Sequence, residues 1–170
     1  MSKIRFLLQN YFKIINEETS AKYLNCKNTH VIFDKKDKLE KLWNIHDEAL
    51  NKKNIVKDNS GKSLLDLKLE ISKRIFRNCH FCERRCSIDR NKRSGSCRVE
   101  KTKIASEFLH IGEERVLIPS HTIFFSGCTF HCVFCQNWDI SQENCGLHIR
   151  PDHLCEIIQK GKEIYISKNA

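Results

Sequence analysis

Residues 123–141 read IFFSGCTFHCVFCQNWDIS. The apolar run Thr122-Ile123-Phe124-Phe125 stops at Ser126-Gly127, and three cysteines follow at once: Cys128, Cys132 and Cys135, spaced C-x3-C-x2-C. A short β-branched and aromatic run closed by turn residues predicts a buried strand feeding a loop. Three thiolates can hold three irons of a four-iron cluster and leave the fourth open, whereas electron-transfer clusters usually take four cysteines. An open iron can accept a substrate ligand. The competing reading is structural zinc, which needs four closed ligands. His131 is the available fourth donor, although adjacent residues rarely turn toward one ion.

After this loop, Pro151 suits a first helical turn, Leu154, Ile157 and Ile158 form an apolar face, and Gly161 is expected to end the helix. Glu163-Ile164-Tyr165-Ile166 then reads as a strand, so the order strand, loop, helix, strand predicts one βαβ unit. Before the loop, Ile104–Ile111 and Arg115–Ile118 flank Gly112-Glu113-Glu114 and read as a hairpin.

Further upstream stand Cys79, Cys82, Cys86 and Cys97, spaced C-x2-C-x3-C-x10-C. Four cysteines within 19 positions satisfy the closed coordination of a structural metal site. Thiolates serve zinc and iron-sulfur clusters alike, so both metals remain open. His80 is a competing ligand. The surrounding Arg84, Arg85, Arg90, Lys92, Arg93 and Arg98 raise a rival function, a knuckle whose cations neutralise nucleic-acid phosphates. With Phe76 and Phe81 the only nearby rings, an aromatic stacking series is missing, and nucleic acid is disfavoured against a solvated basic face. Cys26, Cys145 and Cys155 are isolated and read as buried or free thiols.

The remainder sets the frame. The chain has 170 residues, 40% hydrophobic and 30% charged, with 6 Gly, 2 Pro and 10 Cys, which describes a globular chain rather than a collagenous or Pro/Gly-rich disordered one. Its +9 net charge is uneven. Residues 1–72 carry 14 basic and 10 acidic side chains, residues 73–103 carry 11 and 3, and residues 104–170 carry 5 and 8. These are three expected regions: a helical amino-terminal region (1–72), a basic cysteine-rich knuckle (73–103), and a β section leading into the strand, loop and helix (104–170). In the first, Phe6, Tyr11, Phe12, Ile14 and Ile15, then Leu39, Leu42, Trp43, Ala49 and Leu50, recur at helical spacing. A third helix is predicted from Ser63, capped with Asp66 and continuing through Leu67, Ile71 and Ile75. Residues 51–62, NKKNIVKDNSGK, with the turn-prone Asp58-Asn59-Ser60-Gly61, read as a linker. No apolar stretch approaches the ~18 residues of a membrane span, and the start lacks the features of a signal peptide. The expected compartment is the cytoplasm, where thiols are reduced and clustered cysteines more often bind metal than form disulfides.

The motif IFFSGCTFHCVFCQNWDIS resembles the radical S-adenosylmethionine superfamily, with its C-x3-C-x-aromatic-C signature after the first barrel strand. The CQNWDIS continuation and the upstream cysteines are similar to proteins related to pyruvate formate-lyase activating enzyme. The resemblance covers roughly residues 73 to 166. It implies that Cys128, Cys132 and Cys135 hold a 4Fe-4S cluster, that S-adenosylmethionine binds its open iron, and that Phe134 lies near the adenine. It also implies reductive cleavage of S-adenosylmethionine to a radical that acts on a substrate, a protein substrate being one option. Phe124, Phe125 and Phe130 could keep the surroundings apolar, with ordinary core packing the favoured role for each. The implied fold class is α/β: amino-terminal helices, the cysteine-rich metal knuckle and the beginning of a (βα) partial barrel. At roughly 30 residues per βα unit, a six-unit barrel needs about 180, whereas 35 residues follow Cys135. A glycine-rich GGE-like segment after the second strand is not found. The expectation is therefore an incomplete core, doubtful in catalysis alone: the amino-terminal piece of a split or frame-interrupted enzyme, or a subunit completed by a second polypeptide. The alternative is a non-enzymatic zinc or iron-sulfur module that binds nucleic acid or a protein.

Overall fold

The computed structural model describes residues 6–51, 61–113, 115 and 117–169. They form two units, Met1–Ile75 and Phe76–Ala170.

The first unit contains α1 (Gln9–Ile15), α2 (Lys22–Asn28), β1 (His30–Val31), α3 (Leu39–Asn51), β2 (Lys62–Ser63) and most of α4 (Leu64–Arg77). α4 begins where the capping pattern places it. The Ser63 backbone N–H donates to Asp66 Oδ2 at 2.8 Å, and the Asp66 N–H donates back to Ser63 Oγ at 3.2 Å. This reciprocal pair satisfies donors that a first helical turn leaves open. Along α4, Leu64, Leu67, Ile71 and Ile75 repeat at three- and four-residue intervals and are buried. With Leu42 of α3, Val31 and Phe33 they make the core, against which Cys26, Leu39, Ile45 and Ala49 pack. α1 forms as expected, but none of its residues is buried. Most of the predicted linker, residues 52–60, lies outside the described residues.

The second unit has a three-stranded sheet in the order β4-β3-β5, antiparallel throughout: β3 (Lys103–His110), β4 (Ser120–Phe125) and β5 (Leu147–His148). α5 (Trp138–Gln142) and α6 (Pro151–Asn169) complete it. β3 is the strand expected from Ile104 onward, yet its hairpin partner is β4, not Arg115–Ile118. Phe108 faces Thr122 and Ile104 faces Phe125, with an irregularity between Ile104 and Ser106. The reason lies in the pattern: 120–125 offers the longer β-prone run, and the intervening residues serve as the connection. β4 is not the fully buried strand expected, since Phe125 is 47% exposed.

The predicted strand Glu163–Ile166 is corrected outright, because these residues continue α6 to Asn169. Gly161 does not end the helix. It is buried on the face that meets β4, where an added Cβ would stand 2.1 Å from His121 Nδ1. A glycine that reads as a stop is here the residue small enough for close packing, and tertiary context overrides propensity. Strand pairing among the described residues therefore includes no parallel βαβ unit, and the fold class is mixed α/β. No helix among the described residues is long and apolar enough to cross a membrane.

Candidate metal centre

The upstream cysteines lie in irregular backbone that folds back on itself. The Cys79 N–H donates to the Ile88 carbonyl at 2.9 Å, the Ser87 N–H to the Cys79 carbonyl at 2.8 Å, and the Arg90 N–H to the Phe76 carbonyl at 2.9 Å. A tight turn joins Cys82 to Arg85 and another joins Gly95 to Arg98. Arg85, Ser87 and Arg98, beside Cys86 and Cys97, have φ of 39°, 51° and 56°. Non-glycine residues held there cost about 1–3 kcal/mol each and persist where the surroundings over-determine them.

Two of the four sulfurs have donors. Cys86 Sγ receives the Ser96 N–H at 3.5 Å and lies 3.4 Å from Ser96 Oγ. The Ser96 hydroxyl and then its backbone N–H hold the Cys86 thiol below its usual range. Cys79, buried, accepts from Arg90 Nη1 at 3.7 Å. Arg90 also donates to the Val99 carbonyl and lies 5.5 Å from the Phe76 ring centroid. It is a clamp within the segment rather than a free surface cation, whereas Arg84, Arg85, Lys92, Arg93 and Arg98 are exposed.

The downstream loop starts where β4 ends. Buried Ser126 donates its N–H to the Lys103 carbonyl at 3.0 Å and its hydroxyl to the Ile140 carbonyl at 3.2 Å. The Gly127 N–H also reaches the Ile140 carbonyl, at 2.8 Å. Within the loop, the Phe130 N–H donates to Cys128 Sγ at 3.4 Å, and Cys135 Sγ lies 3.3 Å from Ser141 Oγ. Gln142 Nε2 donates to the Phe130 carbonyl at 2.9 Å. The loop is thereby anchored at both ends to α5. Cys132 is exposed, Cys128 and Cys135 are half-buried, and Phe134 is 86% exposed.

All ten cysteines are free thiols. Among the described residues no three His, Cys, Asp or Glu side chains stand in a metal-holding arrangement. The structure thus brings each cysteine set into one loop region without converging its sulfurs. The donor set still fits a thiophilic metal: four cysteine sulfurs share one short segment, the Ser96 donors on Cys86 favour its thiolate, and Gly95 leaves open the space where a Cβ would stand 3.1 Å from Cys86 Sγ. His131 Nε2 donates its N–H to the Ser96 carbonyl at 3.2 Å. His80 Nδ1 lies 2.7 Å from the Asn78 carbonyl. Cys26 packs on the first unit's core, Cys145 is half-buried and Cys155 exposed. Sequence reasoning missed Ser96, Gly127, Ser141 and Gln142. The Ser94-Gly95-Ser96 run before Cys97 and the glycine before Cys128 are the signals that mark the first two.

These features define a mixed α/β protein with two cysteine-rich loops in one unit. The chain is 48% identical over 143 residues to an uncharacterised protein of Methanocaldococcus jannaschii, covering 79% of this chain and 42% of the relative. The chain therefore spans less than half the length of that relative. No family model and no solved structure matches it.

Proposed function

We propose that this chain is a radical S-adenosylmethionine protein of the activating-enzyme type, with Cys128, Cys132 and Cys135 as the three protein ligands of a 4Fe-4S cluster. The observation that carries the reading is the C-x3-C-x2-C loop at the end of a sheet strand, with Cys132 and Phe134 open to solvent. When bound, such a cluster supplies the electron that splits S-adenosylmethionine into methionine and a 5'-deoxyadenosyl radical. The chain's own part is to hold the loop. Ser126 and Gly127 tie its start to Ile140, Gln142 ties its middle, and Ser141 faces the Cys135 sulfur. Phe134 would present a ring to the adenine.

Cys79, Cys82, Cys86 and Cys97 form a second site for zinc or an iron-sulfur cluster in this reading. β4 would be the strand that introduces the radical core, with further βα units supplied by the rest of a longer chain or by a second polypeptide. The relative is more than twice the matched length, which accords with a longer chain, and Phe130, Val133, Phe134 and Trp138, all at least half exposed, accord with a core that packs against further structure. A cytoplasmic setting accords with ten free thiols. The alternative, a non-enzymatic module, has the exposed arginines of the upstream segment in its favour, but Arg90 is engaged internally.

Anaerobic reconstitution tests the assignment. Iron and sulfide are expected in proportion to one or two clusters, with an electron paramagnetic resonance spectrum that changes on adding S-adenosylmethionine. A spectrum indifferent to S-adenosylmethionine, or zinc closed by a fourth side chain at the downstream loop, refutes it. Release of 5'-deoxyadenosine then separates a competent core from one that needs a second polypeptide.

A further inference from the structure

Ser96 touches both cysteine regions. Its N–H and hydroxyl lie on Cys86 Sγ, at 3.5 and 3.4 Å, and its carbonyl accepts from His131 Nε2 at 3.2 Å, inside the downstream loop. The next three residues contact the start of the downstream loop and the chain beyond α5. The Cys97 carbonyl lies 3.9 Å from where a Gly127 Cβ would be, Val99 Cγ2 would be 2.1 Å from it, and the Arg98 carbonyl accepts from Asn144 Nδ2 at 3.3 Å. Residues 96–99 thus lie against Gly127, His131 and Asn144, and Ser96 also touches the Cys86 sulfur.

We propose that the two cysteine sets are energetically coupled sites, with His131 as the positioning residue that transmits the coupling through the Ser96 carbonyl. The proposal rests on the reading of Cys79, Cys82, Cys86 and Cys97 as a metal site. A metal held by Cys86 and Cys97 pins both ends of the segment that carries Ser96. With Ser96 fixed, its carbonyl restrains His131, and the Cys128–Cys135 loop loses conformational freedom before any ligand reaches it. A loop already ordered gives up less entropy when it binds, so filling one site favours the other without a new contact. Such coupling is reciprocal and commonly amounts to about 5- to 150-fold. His131, engaged with Ser96, is here a support for the loop and not a ligand.

The test uses the full metal-free chain under anaerobic conditions and Zn(II) as probe. One equivalent of Zn(II) is expected to slow amide hydrogen exchange across residues 128–138 by about 5-fold or more. The same response is expected in a Cys128→Ser/Cys132→Ser/Cys135→Ser chain, which assigns it to the upstream set. His131→Phe should still bind one equivalent of Zn(II), with an unchanged circular dichroism spectrum, but lose the slowing. His131→Gln, whose amide can donate to the same carbonyl, should regain it. Coupling is overturned if Zn(II) binds upstream and exchange at 128–138 does not change, or if His131→Phe responds like the parent. If Zn(II) is not retained, or is retained equally by Cys86→Ser/Cys97→Ser, the upstream site itself falls and coupling falls with it.

Discussion

Gly127→Ala is expected to damage the second unit more than its size implies. Gly127 has φ of 91°, in the left-handed region, and an added Cβ would stand 2.1 Å from Val99 Cγ2. The backbone conformation costs an L-residue about 1–2 kcal/mol. Overlap with a β-branched neighbour, stiff about its own χ1, adds about 1–3 kcal/mol. The total is about 2–5 kcal/mol, and a domain of under about 100 residues loses about 4–8 °C per kcal/mol, so the transition should fall by about 8 °C or more. Thermal unfolding followed by circular dichroism on the metal-free chain reads this directly. Val99→Ala provides the control. The double variant should recover the overlap part, leaving it about 1–3 kcal/mol more stable than the sum of the single effects predicts, while the backbone part remains. Strict additivity would refute the packing of the Cys97–Val99 segment against the start of the downstream loop.

Gly161→Ala should destabilise although alanine is the better helix former by about 1 kcal/mol, because the new Cβ would displace an imidazole that lies 2.6 Å from Glu107 Oε2. In a His121→Ala background the same change should become neutral or stabilising, as read by urea unfolding. Leu67→Ala removes a fully buried side chain of the first unit and should cost about 2–5 kcal/mol, measured as a lower urea midpoint. The hydroxyl and then the backbone N–H of Ser63 hold Asp66 below the usual carboxylate range. Its folded pKa is depressed, so its contribution is present above the unfolded value of 3.8 and is lost as pH falls through the folded value. Asp66→Asn should therefore lower stability at pH 7 and flatten the decline on the acid side, in a pH series of denaturation midpoints. Cys135→Ser should lower iron and sulfide in the reconstituted chain to that of the upstream set alone, and equal iron in variant and parent would count against Cys135 as a ligand.

Local rules were legible where one element determined its own outcome. Ser63 and Asp66 fixed the start of α4 because a capping pair needs only residues three apart, and the spacing of Leu67, Ile71 and Ile75 marked the buried face. β3 was legible for the same reason. The partner of β3 was not, since pairing depends on which distant run competes best, and Ser120–Phe125 prevailed over Arg115–Ile118. Gly161 misled because a helix-stop signal and a close-packing residue are the same letter until the neighbouring strand is in place. The cysteine spacing is what suggests a metal site, but spacing does not orient sulfurs. Ser96 is marked in the sequence only by its place in the Ser94-Gly95-Ser96 run before Cys97, and its role follows from what stands on either side of it.

Arg90 separates two quantities that an isoelectric point merges. Its guanidinium faces a sulfur, a carbonyl and a ring of its own segment, so one positive charge counted in residues 73–103 has its donors engaged internally rather than offered outward. A lysine at position 90 would leave the titration curve of the denatured chain almost unchanged, yet a single ammonium cannot span those three neighbours with a planar fork. The salt dependence of polyanion binding by the native protein, rather than its formal valence, is the quantity that would reveal how much of the basic character such a partner can actually meet.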